Sequence, residues 1–298
     1  MNNGYAVVLG CAIALLLSGC ATHQSETQAM RAAWYAGDTA KAQKEALARE
    51  KDRQGGDSAL IWALETGAVT RANGDLGLSE SCFSKAYELV ETYDAQAKTK
   101  LTEEAASVLL NQSFTRYRGF FYDKIMMSAY QALNCMEQKK FEQAAVELRR
   151  VQNFQETAVD ENRARIEREE QLLRQAQKKD GKQAYDVERT LANSNVQSVF
   201  EKYYGAGYMQ RAGVGEARAI YTNPFATWLG GLYFSNRFAD QADKDRAADL
   251  FRLAFEQTGK SVPAIAADVA DAEQLANGTR ATMGNLVYVI FESGSAPI

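Results

Sequence analysis

The fold is decided by residues 60–86, LIWALETGAVTRANGDLGLSESCFSKA, which carry two helical patterns separated by one turn. Apolar residues recur at helical spacing before Gly67, and Asp57 is placed to cap this first helix. Asn73-Gly74-Asp75 is typical of a tight turn, because glycine and asparagine tolerate backbone conformations that other residues avoid. The stretch therefore predicts two antiparallel helices joined by a short connection.

Small and large residues alternate between these two helices at fixed offsets. Counted from Gly67, Ser79 lies at +12, Phe83 at +16 and Ala86 at +19. Two helices approach closely only where small residues face each other, and a larger residue one turn later fills the gap between neighbouring pairs. These offsets resemble those of tetratricopeptide (TPR) repeats. A generic bundle of helical hairpins uses the same alternation and is the alternative.

The same alternation of small and large residues recurs along the chain, although at uneven spacing. The recurring positions are Ala132, Ala144, Leu148 and Val151 around the turn Lys139-Lys140-Phe141; Met30, Ala42 and Ala46 around Gly37-Asp38; and Trp228, Gly230, Gly231 and Phe234 followed by Ala247, Phe251 and Ala254. Only three prolines interrupt the whole chain. We therefore predict an all-α protein of irregular TPR-like hairpin repeats, an α-solenoid or a bundle, in residues 29–155 and 223–298.

Residues 156–222 have a different composition. About half of the positions from Glu156 to Arg189 are charged, which predicts a long solvated helix or, alternatively, a helix that faces a partner. Four tyrosines and four glycines fall in the segment from Val196 to Tyr221, and tyrosine is enriched at binding surfaces. An ordered loop whose tyrosines pack on neighbouring helices is the alternative. The candidate binding loop comprises Tyr203, Tyr204, Tyr208, Tyr221, Asn223, Pro224 and Phe225, of which Asn223 and Pro224 also form a helix start.

The run Leu286-Val287-Tyr288-Val289-Ile290-Phe291 differs in kind from the rest of the chain. Its six β-prone residues are bounded by Gly284-Asn285 and Ser293-Gly294, which predicts a short C-terminal β-strand. A lone strand has unpaired backbone edges. We therefore expect it to be covered, paired with another segment or available to a partner.

The N-terminus resembles a bacterial lipoprotein signal. An uncharged apolar run from Tyr5 to Leu17 is too short to cross a bilayer and ends in the lipobox-like Leu17-Ser18-Gly19-Cys20. We expect residues 1–19 to be a signal peptide, Cys20 to be lipidated, and residues 20–28 to form an acylated tether that anchors the protein to a membrane. Ala21, in place of Asp, favours the periplasmic face of the outer membrane under enterobacterial sorting.

Composition argues against several functions. A net charge of -4 without a cluster of Lys and Arg argues against a nucleic-acid partner. The single histidine, His23, lies in the expected tether, so we expect no zinc site, no Ser-His-Asp or Cys-His catalytic arrangement and no cofactor. Cys82 and Cys135 fall in apolar helical patterns, where they either form a disulfide or remain buried thiols.

Several stretches together resemble a family of bacterial TPR-containing envelope lipoproteins. They are LIWALETG at 60–67 with Asn73-Gly74-Asp75 and Ser79, YQALN at 130–134 with AVELRR at 145–150, YTNPF at 221–225 with Gly231, and VYVIFE at 287–292. The resemblance implies a lipid-anchored helical-repeat body. Members can be encoded near penicillin-binding-protein activator lipoproteins, which implies a link to cell-wall synthesis.

These features favour a non-enzymatic adaptor or scaffold. Cys20 would anchor the chain, and the hairpins would present a concave face to an envelope protein or peptide, as TPR solenoids do. One alternative is a ligand-binding or peptidoglycan-modifying envelope protein with a central cleft. Another is a structural subunit of an export or wall-synthesis assembly.

Overall fold

A computed structural model describes residues 23–101, 117–180, 222–284 and 286–292 of the chain. Its regular structure within these ranges is entirely α-helical, which confirms the all-α prediction. The helices are α1 (His23–Glu26), α2 (Gln28–Tyr35), α3 (Thr39–Asp52), α4 (Ala59–Ala72), α5 (Leu76–Leu101), α6 (Phe121–Glu137), α7 (Phe141–Asp180), α8 (Pro224–Asn236), α9 (Gln241–Gln257) and α10 (Pro263–Ala276). The expected signal peptide, Cys20, Tyr203, Tyr204, Tyr208 and Tyr221 lie outside the described residues.

The chain divides into two compact units. Unit 1 comprises residues 1–120 and 133–141, and unit 2 comprises residues 121–132 and 142–298, so the division passes through α6. In unit 1, α2 packs on α3, α3 on α4, and α4 on α5. In unit 2, α9 packs on both α8 and α10. Consecutive helices in each unit therefore form antiparallel neighbours, as short connections require.

The tight turns share one hydrogen-bonding scheme. At the end of α4, Gly74 has a left-handed backbone (φ +82°), and the N–H of Asp75 donates to the carbonyl of Thr70 at 3.0 Å. The Asp75 carboxylate then accepts from the N–H of Leu78 at 3.2 Å and caps α5. Gly37 and Asp38 repeat this arrangement between α2 and α3, which is a Schellman end followed by an N-cap.

Between α6 and α7 the left-handed position is occupied by Lys139 rather than glycine (φ +59°). The N–H of Lys140 still donates to the carbonyl of Cys135 at 2.7 Å, so the hydrogen-bonding scheme is kept. A side chain in this conformation costs about 1 kcal/mol or more relative to glycine. The packing of the two helices must therefore stabilise this hairpin, because the conformational preference of Lys139 does not.

Two of the helix pairs, α4–α5 and α8–α9, have close contacts at glycines. A Cβ built on Gly67 would lie 2.7 Å from Cε1 of Phe83, and one built on Gly231 would lie 2.8 Å from Cδ1 of Phe251. Both phenylalanine rings are almost completely buried. Each ring thus packs directly on the backbone of the facing helix, a contact that no larger residue than glycine permits.

The paired positions have a common register. Met30, Gly67, Ala132 and Gly231 each lie five residues before the last residue of their helix. The small or apolar residues expected to pack against the facing helices are all buried, namely Ala42, Ala46, Ser79, Phe83, Ala86, Ala144, Leu148, Val151, Ala247, Phe251 and Ala254. The +12 and +16 offsets of residues 60–86 therefore also locate core positions in the hairpins that contain Met30 and Ala132. In the hairpin of α8 and α9 the corresponding positions come four residues later, because the connection between the helices is longer.

A buried polar chain crosses unit 1. The Ser79 hydroxyl donates to the Gly67 carbonyl at 2.7 Å and accepts from Nδ2 of Asn134 at 2.9 Å. Oδ1 of Asn134 accepts from Nη1 of Arg71 at 2.7 Å, and Nη2 of Arg71 donates to Glu137 at 2.6 Å. Each buried donor in this chain meets an acceptor, so the chain fixes the C-terminal end of α6 on α4 and α5.

The predicted C-terminal strand is wrong for the residues described. Leu286–Phe291 has no strand assignment, and its apolar side chains are largely exposed, with Val287 at 90% and Val289 at 84%. Tyr288 instead fastens the segment, because its hydroxyl donates to Asp268 at 2.8 Å and its ring meets Trp228 edge-on at 5.7 Å. A β-prone sequence forms a strand only when a second strand pairs with its backbone, and the described ranges contain none.

Two predicted boundaries also look different in the structure. His23–Glu26, placed in the expected tether, is helical, and the following Thr27 is buried. Helix α7 runs without interruption from Phe141 to Asp180, so the charged stretch that begins at Glu156 continues the second helix of a hairpin. The apolar repeat and the charge run were separate signals in the sequence, although both belong to one helix.

We expect Gly67→Ala to destabilise the protein by about 1–3 kcal/mol, because the new methyl group overlaps the Phe83 ring. Gly77→Ala is the matched control, since a Cβ there meets nothing within 4 Å and alanine favours a helix by up to about 1 kcal/mol. Urea denaturation measures both. Equal or greater stability of Gly67→Ala than of Gly77→Ala would contradict the proposed contact, and Phe83→Leu should partly rescue Gly67→Ala.

We expect Cys82 to resist alkylation in the folded protein. Burial, and secondly the Glu50 carboxylate, raise the pKa of this thiol from 9.0 to about 12. The neutral thiol of the folded state therefore contributes stability in full below pH 9.0, and this contribution is lost as the pH rises towards 12. Iodoacetamide labelling at about pH 8.5, where an exposed thiol is partly ionised, followed by mass spectrometry, tests this.

The exposed variant Gln54→Cys serves as the control for accessibility. It should be alkylated in the native protein, whereas the Cys82 peptide should be labelled only after urea is added. Similar labelling rates for the two thiols in the native protein would contradict the burial of the Cys82 thiol. Cys135 is also buried, and the two form no disulfide within the described residues.

Candidate functional site

A groove of about 720 Å³ lies within unit 2. Its walls are helices α7 and α9, and α8 contributes to its floor. The α7 residues are Gln152, Gln155, Glu156, Val159 and Asp160. The α9 residues are Ala242, Asp245, Arg246, Asp249, Leu250, Leu253 and Gln257. Both sets recur every three or four residues, so each presents a single helical face to the groove.

Gln155 holds the start of α8 against α7. Its side chain is buried, and its Oε1 accepts from the backbone N–H of Asn223 at 2.7 Å. Its Nε2 donates to the Thr227 hydroxyl at 3.1 Å. One glutamine therefore satisfies a backbone group and a hydroxyl of the neighbouring helix, which positions the floor of the groove relative to its wall.

The predicted loop residues that the structure describes begin α8. Oδ1 of Asn223 accepts from the N–H of Ala226 at 3.1 Å, as an N-cap does, and Pro224 occupies the first turn. Phe225 is half-buried, with its ring 6.2 Å from that of Trp228. The groove is lined by the neighbouring Thr222 and Thr227, and not by Asn223, Pro224 or Phe225.

Sequence reasoning did not identify Gln155 or Thr227. Gln155 lies between the buried residues Val151 and Ala158 on the apolar face of α7, and a polar residue on such a face was the available signal. The charge run starting at Glu156 obscured it. Thr222 and Thr227 belong to no recognisable motif, because their role depends on α7, a helix that is distant in the sequence.

The rim of the groove is acidic. Glu156, Asp160, Asp245 and Asp249 are all exposed, and each contributes a carboxylate. Asp249 is also 2.8 Å from Arg252. Arg246 is the only cationic residue among those lining the described groove, and it stacks 5.0 Å from the ring centre of Phe234 and lies 4.0 Å from Asp243. The groove surface therefore carries a net negative charge.

Apolar and polar groups lie beneath this rim. Leu253 is 44% exposed on the groove wall, and Val159 and Leu250 lie beside it. The buried atoms Oγ1 of Thr222 and Oε1 of Gln257 have no hydrogen-bond partner among the described residues. A bound segment could contact the apolar wall and supply a hydrogen-bond donor to the Gln257 oxygen.

The described parts of the chain contain no group of three or more His, Cys, Asp and Glu residues arranged to hold a metal ion. No helix in these ranges combines the length and the apolar character needed to cross a membrane. The groove is lined by side-chain amides, carboxylates, hydroxyls, one guanidinium and aliphatic side chains.

Comparisons with protein-family models, with curated proteins and with solved structures gave no match for this chain.

We expect Gln155→Leu to lower the free energy of unfolding by about 1–3 kcal/mol, because the Asn223 N–H and the Thr227 hydroxyl lose a buried partner. Asn153→Leu, on the exposed side of the same helix, is the control and should change stability little. Urea denaturation followed by circular dichroism measures both variants. Equal midpoints would show that Gln155 does not join α7 to α8.

Proposed function

We propose that this protein is a membrane-anchored periplasmic lipoprotein whose TPR-like helical hairpins act as a non-enzymatic adaptor for another envelope protein. The observation that carries this proposal is the groove of about 720 Å³ between α7 and α9. Helical-repeat proteins bind partners along surfaces formed by successive helices. The shared hairpin register supports the TPR-like interpretation, because repeated packing positions make such surfaces continuous.

The chemistry of the groove favours a particular kind of partner segment. An acidic rim over an apolar wall suits a segment that carries Lys or Arg beside apolar side chains. Leu253 supplies apolar contact area, and the rim residues Glu156 and Asp245 supply the opposite charge. The proposed partner is therefore a basic amphipathic segment of an envelope protein, with electrostatic attraction that weakens as salt rises.

The proposed anchor is Cys20. The support for it is the sequence Leu17-Ser18-Gly19-Cys20 after a short apolar run, and Ala21 favours the outer membrane. Two or more acyl chains on Cys20 would hold the protein at the periplasmic face, since each buried CH₂ adds about 0.8 kcal/mol. The resemblance to envelope lipoproteins supports a role near cell-wall synthesis.

The test places a photo-crosslinking amino acid at Leu253 in the full chain within its native envelope. The matched control places it at Val146, which is equally exposed (44%) but does not line the groove. Crosslinked peptides are then identified by mass spectrometry. We expect Leu253, and not Val146, to yield a peptide from an envelope protein with at least two Lys or Arg residues.

Two further variants separate the binding and anchoring parts of the proposal. Asp245→Lys should reduce the Leu253 crosslink several-fold, because it reverses a charge on the rim. Cys20→Ala should release the protein from the membrane fraction and prevent acylation. A crosslink that is equal at Leu253 and Val146 would refute the groove as the adaptor surface, whereas acylation that persists in Cys20→Ala would refute the anchor.

A further inference from the structure

The chain is fixed to unit 1 from His23 onward. The His23 ring meets the fully buried Trp62 ring edge-on at 5.1 Å, and its Nε2 lies 3.5 Å from the Glu65 carboxylate. Glu26 forms an ion pair with Arg53, and the side chain of Glu26 is only 10% exposed. Helix α1 is therefore held on α4 and on the end of α3 by an aromatic contact and a half-buried ion pair.

The next residue strengthens this attachment. The Thr27 hydroxyl donates to the carbonyl of His23 at 3.0 Å, and the residue is 2% exposed. Met30 and Ala33 then enter the apolar cluster that contains Trp62. A segment with buried side chains and satisfied backbone groups does not act as a flexible spacer.

The distance between His23 and Cys20 is limited by chain geometry alone. Three residues span at most about 11 Å when fully extended, at 3.3–3.6 Å per residue. A lipid-modified Cys20 lies at the membrane surface, so α1 must lie within that distance of it. The end of unit 1 that carries α1 therefore stays within about 11 Å of the acylated residue.

The hairpins of unit 1 have two distinct ends. The end with α1 also includes the connection 53–58, because Glu26 contacts Arg53 there. The opposite end contains the two tight turns, joined by a hydrogen bond of 2.8 Å between Thr39 and Asn73. Helix α4 has 14 residues and separates the two ends by about 21 Å at 1.5 Å per residue.

We propose that the end of unit 1 formed by α1 and residues 53–58 lies against the phospholipid headgroups, with the tight-turn end further from the membrane. This inference rests on the proposed acylation of Cys20. Within residues 49–58 the exposed charged residues are Arg49, Lys51, Asp52 and Asp57, two of each sign, so this stretch adds no net charge that would repel an anionic surface. Partners then have access to unit 1 from the tight-turn end.

The test measures distance from the lipid surface in the full acylated chain. Gln54→Cys and Ala72→Cys place single exposed thiols at the two ends of unit 1, and each is labelled with a maleimide fluorophore. Cys82 and Cys135 are buried and should label weakly. The protein is bound to phosphatidylethanolamine and phosphatidylglycerol vesicles that contain headgroup nitroxide lipids. We expect at least about twofold stronger quenching at position 54, given the separation of the ends along α4.

A linker variant distinguishes a short attachment from nonspecific adsorption. Ten Gly and Ser residues inserted between Thr22 and His23 add about 17 Å of average reach and should reduce quenching at position 54 towards that at position 72. Quenching at position 72 that equals or exceeds that at position 54, or quenching unaffected by the linker, overturns the proposed orientation.

The anchor is checked independently by intact-mass measurement of the purified protein. Protein that carries acyl chains and binds vesicles, but shows no difference between the two labels, refutes the orientation and leaves the anchor standing. Protein without acyl chains refutes the anchor, and the orientation with it.

Discussion

The contact between a phenylalanine ring and the backbone of a facing helix is the constraint on which the hairpins α4–α5 and α8–α9 depend. Gly67 and Gly231 let Phe83 and Phe251 approach to distances that a Cβ would prevent. Apolar burial alone would allow the two helices to slide or rotate, whereas a ring seated on a bare backbone allows one register. The short turns can follow from that register, since they have only to join helices that are already aligned.

The buried polar chain of unit 1 specifies the position of α6 more narrowly than apolar packing does. Asn134 donates to Ser79 and accepts from Arg71, so it fits only where both partners are present. Replacement of this chain by apolar residues would remove the hydrogen bonds that fix the C-terminal end of α6 on α4 and α5. We interpret the chain as a means of specifying which helix docks on α4 and α5, in a protein whose helices have similar apolar faces.

Helical pairing could be predicted from the sequence because its signals are local. Gly67, Asn73-Gly74-Asp75 and Phe83 lie within one short stretch, and spacing alone relates them. The groove could not be predicted in this way, since Gln155 and Thr227 are brought together by tertiary packing between two distant helices. The prediction of a C-terminal strand was wrong for a related reason. β-propensity identifies a segment that is able to pair, but it contains no information on the partner strand.

Asp268 joins three parts of unit 2 through one carboxylate. One oxygen accepts from the Trp228 indole of α8, and the other accepts from the Tyr288 hydroxyl of the terminal segment. Burial, and then this hydrogen bond to Asp268, raise the pKa of Tyr288 above its usual range. The two bonds share one acceptor, so their free energies are coupled. Displacement of residues 286–292 would therefore also alter the hydrogen bond between Asp268 and Trp228, and Trp228 belongs to α8, the helix that contributes to the floor of the groove.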